Sequence, residues 1–243
     1  MNQLKQHAEL LKNVLSLKRD PVGVRFYKQG EKLPDEDYEK QKKMRYCQAV
    51  MAASEGKKVI LSSENIACAA ASAAFGFRSL HPKLASGEGH YNVGTFGTQE
   101  AAKKVMAEMP RLPLEEYAYV ALAPLGEVDY EPHVVVIEAE TERLMWLGLA
   151  SMHDTGERLQ FNTSVVQATC VDATVVPFVS KKVNATLGCT GCREASNIDF
   201  TEGVIGIPFG QLERVIANLS RLSEKVIPQN RSKLAYQRYK EKK

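Results

Sequence analysis

Two runs of β-forming apolar residues, Tyr117–Pro124 and His133–Ala139, constrain this chain more than any other feature. Runs of this length and composition read as buried strands, and buried strands need a sheet around them and helices over it. Shorter strand candidates flank them at Val22–Tyr27, Val59–Leu61, Leu159–Asn162, Val183–Leu187 and Val204–Ile207. Between these lie segments with helical spacing. Leu4, Leu10, Leu11, Val14 and Leu15 mark an amphipathic helix over 3–16, and Leu212, Val215, Ile216, Leu219 and Leu222 mark the last one. Helices are also expected at Tyr46–Ser54, at Glu64–Ala74 behind Ser62 and Ser63 as caps, at Gln99–Met109 behind Thr98, and at Glu142–Ser151. Val165–Val179 reads as a helix interrupted by Pro177. Lys28–Lys43 is a charged loop with room for a short helix. Strands and helices alternate without a composition break or an internal repeat. The expected architecture is α/β or α+β, one domain over 1–227 with a mixed central sheet and packed helices, followed by a basic tail over 228–243.

The cysteines carry the chemical argument, and length decides how to read them. A chain of 243 residues buries roughly 70–75% of its unfolded surface and needs no covalent staples. Five cysteines cannot all pair. The opening MNQLKQHAELLKN has no apolar signal core, and no apolar run approaches the ~18–20 residues that span a bilayer. The expected setting is therefore a reduced cytoplasm, where thiols stay free, bind metal or do redox work. Charge is uneven. The tail holds six Lys and Arg against Glu241, or +5, which leaves −2 on residues 1–227 of a chain whose net charge is +3. A basic tail with Tyr236 and Tyr239 has the composition of a contact for an acidic partner. No basic stripe elsewhere supports nucleic acid, so a solvated terminal helix is expected.

Cys189 and Cys192 form a CxxC pair inside Leu187-Gly188-Cys189-Thr190-Gly191-Cys192-Arg193. A tight turn brings positions i and i+3 together, and the glycines permit the positive φ such a turn needs. Cys47 and Cys68 fall near the starts of predicted helices, where the helix dipole favours thiolate. Cys170 falls in mid-helix. The gaps of 21, 102, 19 and 3 positions rule out a zinc ribbon with two close pairs and the compact bacterial ferredoxin run. Any shared site must be assembled from distant segments. Otherwise each free cysteine is a small buried hydrophobe.

Other features add less. The Gly76–Gly97 stretch is rich in glycine and holds His81 and His90; it reads as a functional loop, or as one hiding a strand at Tyr91–Val93. The NIACAAASAAF segment is small enough for a ligand or a second backbone to approach closely. His133 and His153 read as structural. GxSxG, HExxH, Walker-type and GxGxxG patterns are absent, which removes the common hydrolase, zincin and nucleotide signatures.

Pro21-Val22-Gly23-Val24, Arg45-Tyr46-Cys47-Gln48-Ala49 and Glu64-Asn65-Ile66-Ala67-Cys68 resemble the family catalogued as domain of unknown function 169. So do Gly156-Glu157-Arg158-Leu159, Leu187-Gly188-Cys189 and Gly206-Ile207-Pro208-Phe209. The resemblance runs from about Leu10 to Leu222, and such proteins are common in archaea and anaerobic bacteria. It implies that the family's cysteine positions are Cys47, Cys68, Cys170 and Cys189. Many members carry an acidic residue where this chain has Cys192. Four thiols from four segments, in anaerobe-type proteins, suit an iron–sulfur cluster, expected as four-iron, better than zinc. The leading expectation is electron transfer or reductive chemistry on a small molecule, with Cys192 as a neighbouring or replacement ligand. A non-enzymatic metal- or ligand-binding module and a CxxC dithiol protein are the alternatives. Whether the protein is an enzyme stays open. The candidate partners are a redox protein and a small-molecule ligand, and a homodimer is the candidate assembly. Neither membrane nor nucleic acid is expected.

Overall fold

A six-stranded sheet organises the computed structural model, which describes residues 3–34, 37–40 and 42–241. In chain order the elements begin with α1 (Gln3–Leu15), β1 (Val22–Tyr27), α2 (Tyr46–Ser54), β2 (Val59–Ser62) and α3 (Ala69–Ala74). Three short helices follow: α4 (Pro82–Ala85), α5 (Glu88–Asn92) and α6 (Gln99–Ala107). Then come β3 (Tyr119–Pro124), β4 (Val134–Glu140), α7 (Thr141–Met152), a π-helix at Ala168–Val175 and α8 (Val176–Ser180). The chain closes with β5 (Asn184–Thr186), α9 (Thr190–Ala195), β6 (Glu202–Pro208), α10 (Phe209–Glu224), α11 (Val226–Arg231) and α12 (Leu234–Glu241).

Strand order is β2-β3-β1-β4-β6-β5, so the two apolar runs flank β1 at the centre. The strands pair antiparallel throughout. The parallel part of the expected mixed sheet reduces to two isolated bridges, Glu39↔Val59 and Met44↔Ile66. The fold is α+β. Alternation along the strands sorts side chains to two covered faces. Val24, Phe26, Val120, Leu122, Val134, Val136 and Val204 share a core with α2, α3 and the π-helix. Val135, Ile137, Ile205 and Ile207 share the other with α1, α7 and α10. Tyr27, Tyr38, Ile60, Ala121, Ala123 and Val128 form a smaller core. Ile227, just before the tail, is buried in the second core; in the tail Arg231 pairs with Glu142 at 3.0 Å, whereas α12 is exposed. Among the described residues no helix is long and apolar enough to cross a membrane. Residues 35, 36 and 41 of the charged loop, and Lys242 and Lys243 of the tail, lie outside the described residues.

Four local expectations change. The helix expected from Glu64 begins only at Ala69, with Cys68 as its N-cap. Asn65 holds Glu64–Ala67 as a turn instead: its Oδ1 accepts from Ser62 N at 2.7 Å, and its Nδ2 donates to Lys40 O and Ile60 O. The glycine-rich stretch is not one loop; Tyr91 lies in α5, behind Gly87 at φ +79°. Leu159–Asn162 is irregular rather than a strand. The helix expected at Val165–Val179 is a π-helix followed by α8, with Pro177 in the first turn of α8. Pro177 has no N–H to return along an α-helical ladder. Thr174 Oγ1 donates to Thr169 O, five residues back, at 2.8 Å. Gly206 of β6 admits this wide helix: a Cβ there would stand 2.0 Å from Ala173 O.

Glu138 of β4 is the costly residue of this core. It is 8% exposed, and neither carboxylate oxygen has a hydrogen-bond partner among the described residues. Arg19, the cation that partly offsets the Glu138 charge, pairs with Glu202. Burial raises the Glu138 pKa to about 7, and Glu202 and Glu55 add to the rise. A folded-state pKa above the unfolded value means that the native state binds the extra proton. The penalty is therefore absent below about pH 4 and complete above about pH 7.5. In chemical denaturation, Glu138→Gln is expected to be more stable than the parent by about 2–3 kcal/mol at pH 8, with the difference vanishing near pH 4. An equal difference at both pH values would contradict this.

Candidate functional site

Four segments far apart in sequence meet over the first core. Cys47 sits in the first turn of α2, Cys68 caps α3, Cys170 lies on the π-helix, and Cys189 caps α9 with Cys192 one turn in. The ties between these elements are specific. Tyr46 is 1% exposed, its hydroxyl is 3.0 Å from Thr174 Oγ1, and its ring meets Phe75 edge-on at 4.8 Å. These contacts fix α2 to the π-helix and to the end of α3. The π-helix packs on α2, α3 and β6, and α2 also packs on α9.

The CxxC turn has its own scaffold. Gly188 takes φ +87°, and the Arg193 guanidinium lies 3.3 Å from where its Cβ would be. Arg193 donates to Leu187 O, Asp199 O and Glu202 O, which clamps both ends of the turn. Cys189 and Cys192 then cap each other. Cys192 N–H donates to Cys189 Sγ at 3.4 Å, and Cys189 N–H donates to Cys192 Sγ at 3.0 Å.

All five cysteines line one cavity of about 350 Å³. Arg45, His90, Gln167 and Thr169 line it too. The structure thus brings together every cysteine that the sequence singled out: Cys47, Cys68, Cys170, Cys189 and Cys192. Among the described residues, no three His, Cys, Asp or Glu side chains are grouped tightly enough to hold a single metal ion. The thiols border a shared space rather than converging on a point.

The electrostatics distinguish the thiols. Burial pushes Cys47 up to about 12, and the neighbouring Cys189 and Cys68 add to it. Burial raises Cys170 well above the ordinary thiol, again with Cys68, Cys189 and Cys47 adding. These mutual effects place the sulfurs within each other's fields. Cys189 goes the other way: the adjoining Cys192 side chain favours its anion most, and backbone N–H groups of Ala168, Cys192 and Gly191 add to this, while the Cys192 thiol donates to Cys189 O at 3.1 Å. Cys192 is raised, first by the neighbouring Cys189 side chain and then by burial. Of the thiols whose pKa is shifted, Cys189 alone is shifted toward the thiolate, and Cys47, Cys170 and Cys192 are shifted toward the thiol.

The non-sulfur lining is uneven. Arg45 reaches Gly191 O at 3.4 Å and Glu194 at 3.6 Å, so one cation stands at the edge. Burial lowers His90 below its ordinary value, so it is neutral at pH 7, with Nε2 3.4 Å from Gln167 Nε2. Gln167 and Thr169 are 4% and 2% exposed, yet Gln167 Oε1 and Thr169 Oγ1 have no partner among the described residues. The nearby Val165 takes φ +52°, a strained conformation for a β-branched residue. Gln167 and Thr169 carry no sequence signal, since they look like polar positions of an ordinary helix. His81 and His133 do other work. His81 caps α4 through Nδ1. His133 Nδ1 accepts from Phe26 N–H, and its ring stacks on Phe178 at 4.6 Å.

The description "DUF169, uncharacterised ArCR" belongs to a family model that matches residues 10–218. The uncharacterized protein MJ0308 of Methanocaldococcus jannaschii is 31% identical over 218 residues, covering 89% of this chain and 93% of that protein. No solved structure matches the chain. The family match bears out the resemblance read from the cysteine-bearing motifs.

The thiol assignments lead to one expected outcome. At pH 6.5 iodoacetamide modifies Cys189 first in the metal-free protein, roughly tenfold faster than an ordinary free cysteine, while Cys47 and Cys170, whose raised pKa values keep them as thiols, react more slowly. Peptide mapping by mass spectrometry reads the order. Modification of Cys47 or Cys170 before Cys189 would contradict it.

Proposed function

The chain belongs to the DUF169 family, and on that footing we propose that it is an iron–sulfur protein holding its cluster in the five-cysteine cavity. The ligands are Cys47, Cys68, Cys170 and Cys189, with Cys192 beside them. One observation carries this reading: thiols from four remote segments line one cavity of about 350 Å³. A single zinc ion would draw its sulfurs to about 3.8 Å from one another, given Zn–S bonds near 2.3 Å. A multi-iron cluster takes its thiolates from a wider cage, as a shared cavity provides. The donor set also suits it, because soft thiolates select such centres.

The chain's own groups define what the site does. Protonated Cys47 and Cys170 must lose their protons to become ligands, so loading releases protons and is favoured by higher pH. Cys189 is already poised as thiolate and is the first ligand to engage. Backbone N–H groups of the α9 turn and the Arg45 guanidinium offset part of the negative charge. His90, Gln167 and Thr169 add polar lining for a small molecule beside the sulfurs. When bound, the cluster supplies one-electron chemistry, which serves electron transfer or a reductive step.

Anaerobic reconstitution with iron and sulfide is expected to give a brown protein with about four iron and four sulfide per chain. Cys47→Ser and Cys170→Ser each lose at least half of that iron, while Cys192→Ser keeps it. A colourless, iron-free product would end the proposal, and stoichiometric zinc would select the metal-binding module instead.

The reciprocal capping of Cys189 and Cys192 favours a second reading, a dithiol that cycles with a disulfide. Its signature is reversible oxidation of this pair without metal and without a requirement for Cys47, Cys68 or Cys170.

A further inference from the structure

A second cavity, of about 740 Å³, lies among the end of α7, the chain after it, the turn after α8 and the start of α10. Arg158, Lys181, Lys182 and Arg214 line it against a single carboxylate, Glu157. The Lys181 ammonium lies over the Phe178 ring, 4.4 Å from its centre and outside this lining, so Arg158, Lys182 and Arg214 against Glu157 leave a net +2 in one groove, on a body whose residues 1–227 sum to −2. Like charges gathered against the average of the surface repel one another unless an anion joins them.

The groove is built, not merely basic. Lys181 takes φ +57° at the end of α8, and Gln211 Nε2 donates to its carbonyl, which fixes the turn carrying Lys181 and Lys182. Arg214 is held by Gln211 Oε1 at 2.9 Å and by Asp154 at 3.4 Å. Arg158 and Lys182 form no ion pair or side-chain hydrogen bond with any described residue. Arg158 comes from the Gly156-Glu157-Arg158-Leu159 motif, which the thiol site does not use. One fixed cation, Arg214, and two without such partners, Arg158 and Lys182, surround a concave space. Its volume lies in the range of small-molecule sites.

We propose that this groove binds a phosphoryl-bearing small molecule, with Arg158 and Lys182 as its principal ligands. A guanidinium fork beside an ammonium group matches a multiply charged oxyanion better than a lone carboxylate. The groove is also joined to the thiol cavity. Asn184 lines it, donates to Asn162 O at 2.8 Å and to Asp172 O at 2.6 Å, and Asp172 lies on the π-helix that carries Cys170. The assignment stands apart from the cluster reading and holds in metal-free protein.

Calorimetric titration of the full chain with inorganic pyrophosphate, at constant ionic strength, tests it. Saturable binding of one equivalent is expected, weakened at least tenfold in the double variant Arg158→Ala/Lys182→Ala. The control double variant Lys83→Ala/Lys104→Ala, with its lysines in surface pairs elsewhere, is expected to bind as the parent does. Three results would overturn the proposal: no saturable binding, equal weakening in both double variants, or tighter binding of a short RNA oligonucleotide than of pyrophosphate.

Discussion

The close approach of a wide helix to a strand holds this molecule's candidate site together. At Gly206 the backbone of β6 has no side chain, and the carbonyl of Ala173 occupies the space that a Cβ would take. That contact seats the π-helix on the sheet. Tyr46 then binds α2 to the π-helix through Thr174, and Phe75 receives the Tyr46 ring. Cys47 follows Tyr46, Cys68 caps the helix that ends at Phe75, and Cys170 rides on the π-helix itself. Three of the four sulfur-bearing segments are thus positioned by one packing arrangement. The fourth, α9, is held separately by Arg193.

Gathering thiols in this way has an electrostatic cost. Burial and mutual repulsion shift Cys47 and Cys170 toward the thiol, while Cys189, beside the Cys192 side chain and N–H donors, is shifted toward the thiolate. A cationic centre reverses that balance, because it stabilises each thiolate that its neighbours oppose. The orphaned atoms of Gln167 and Thr169 face the same issue in milder form. π-Helical turns recur at functional sites because they place side chains where an α-helix cannot. Here one places Cys170 and Thr169 together at the cavity wall.

Much of the fold was legible in the sequence. The helix at Tyr46–Ser54 and the strand at Val22–Tyr27 have the expected bounds, since apolar period and flanking breakers agree there. Where side chains outweighed the pattern, the reading failed. Asn65 outcompeted helix by satisfying three backbone groups, so Ser62 Oγ, which accepts from Glu64 N–H at 3.2 Å, closes a turn instead of capping a helix. The π-helix was illegible because its apolar run looks the same at 3.6 residues per turn, and the decisive contact, at Gly206, comes more than thirty positions later. The cysteines were legible as candidates, with Cys47 near a helix start. Their convergence was not, because it depends on strand order, which periodicity does not encode. Arg158 was visible only as part of a motif, with no sign that Lys182 and Arg214 would join it.

The central claim is positional: the five sulfurs border one cavity. Long-wavelength anomalous diffraction from crystals of the metal-free protein locates sulfur atoms directly. The account predicts anomalous peaks for Cys47, Cys68, Cys170, Cys189 and Cys192 around a single cavity beside the π-helix. Peaks for Cys47, Cys68 or Cys170 enclosed in separate aliphatic surroundings, away from Cys189, would contradict it.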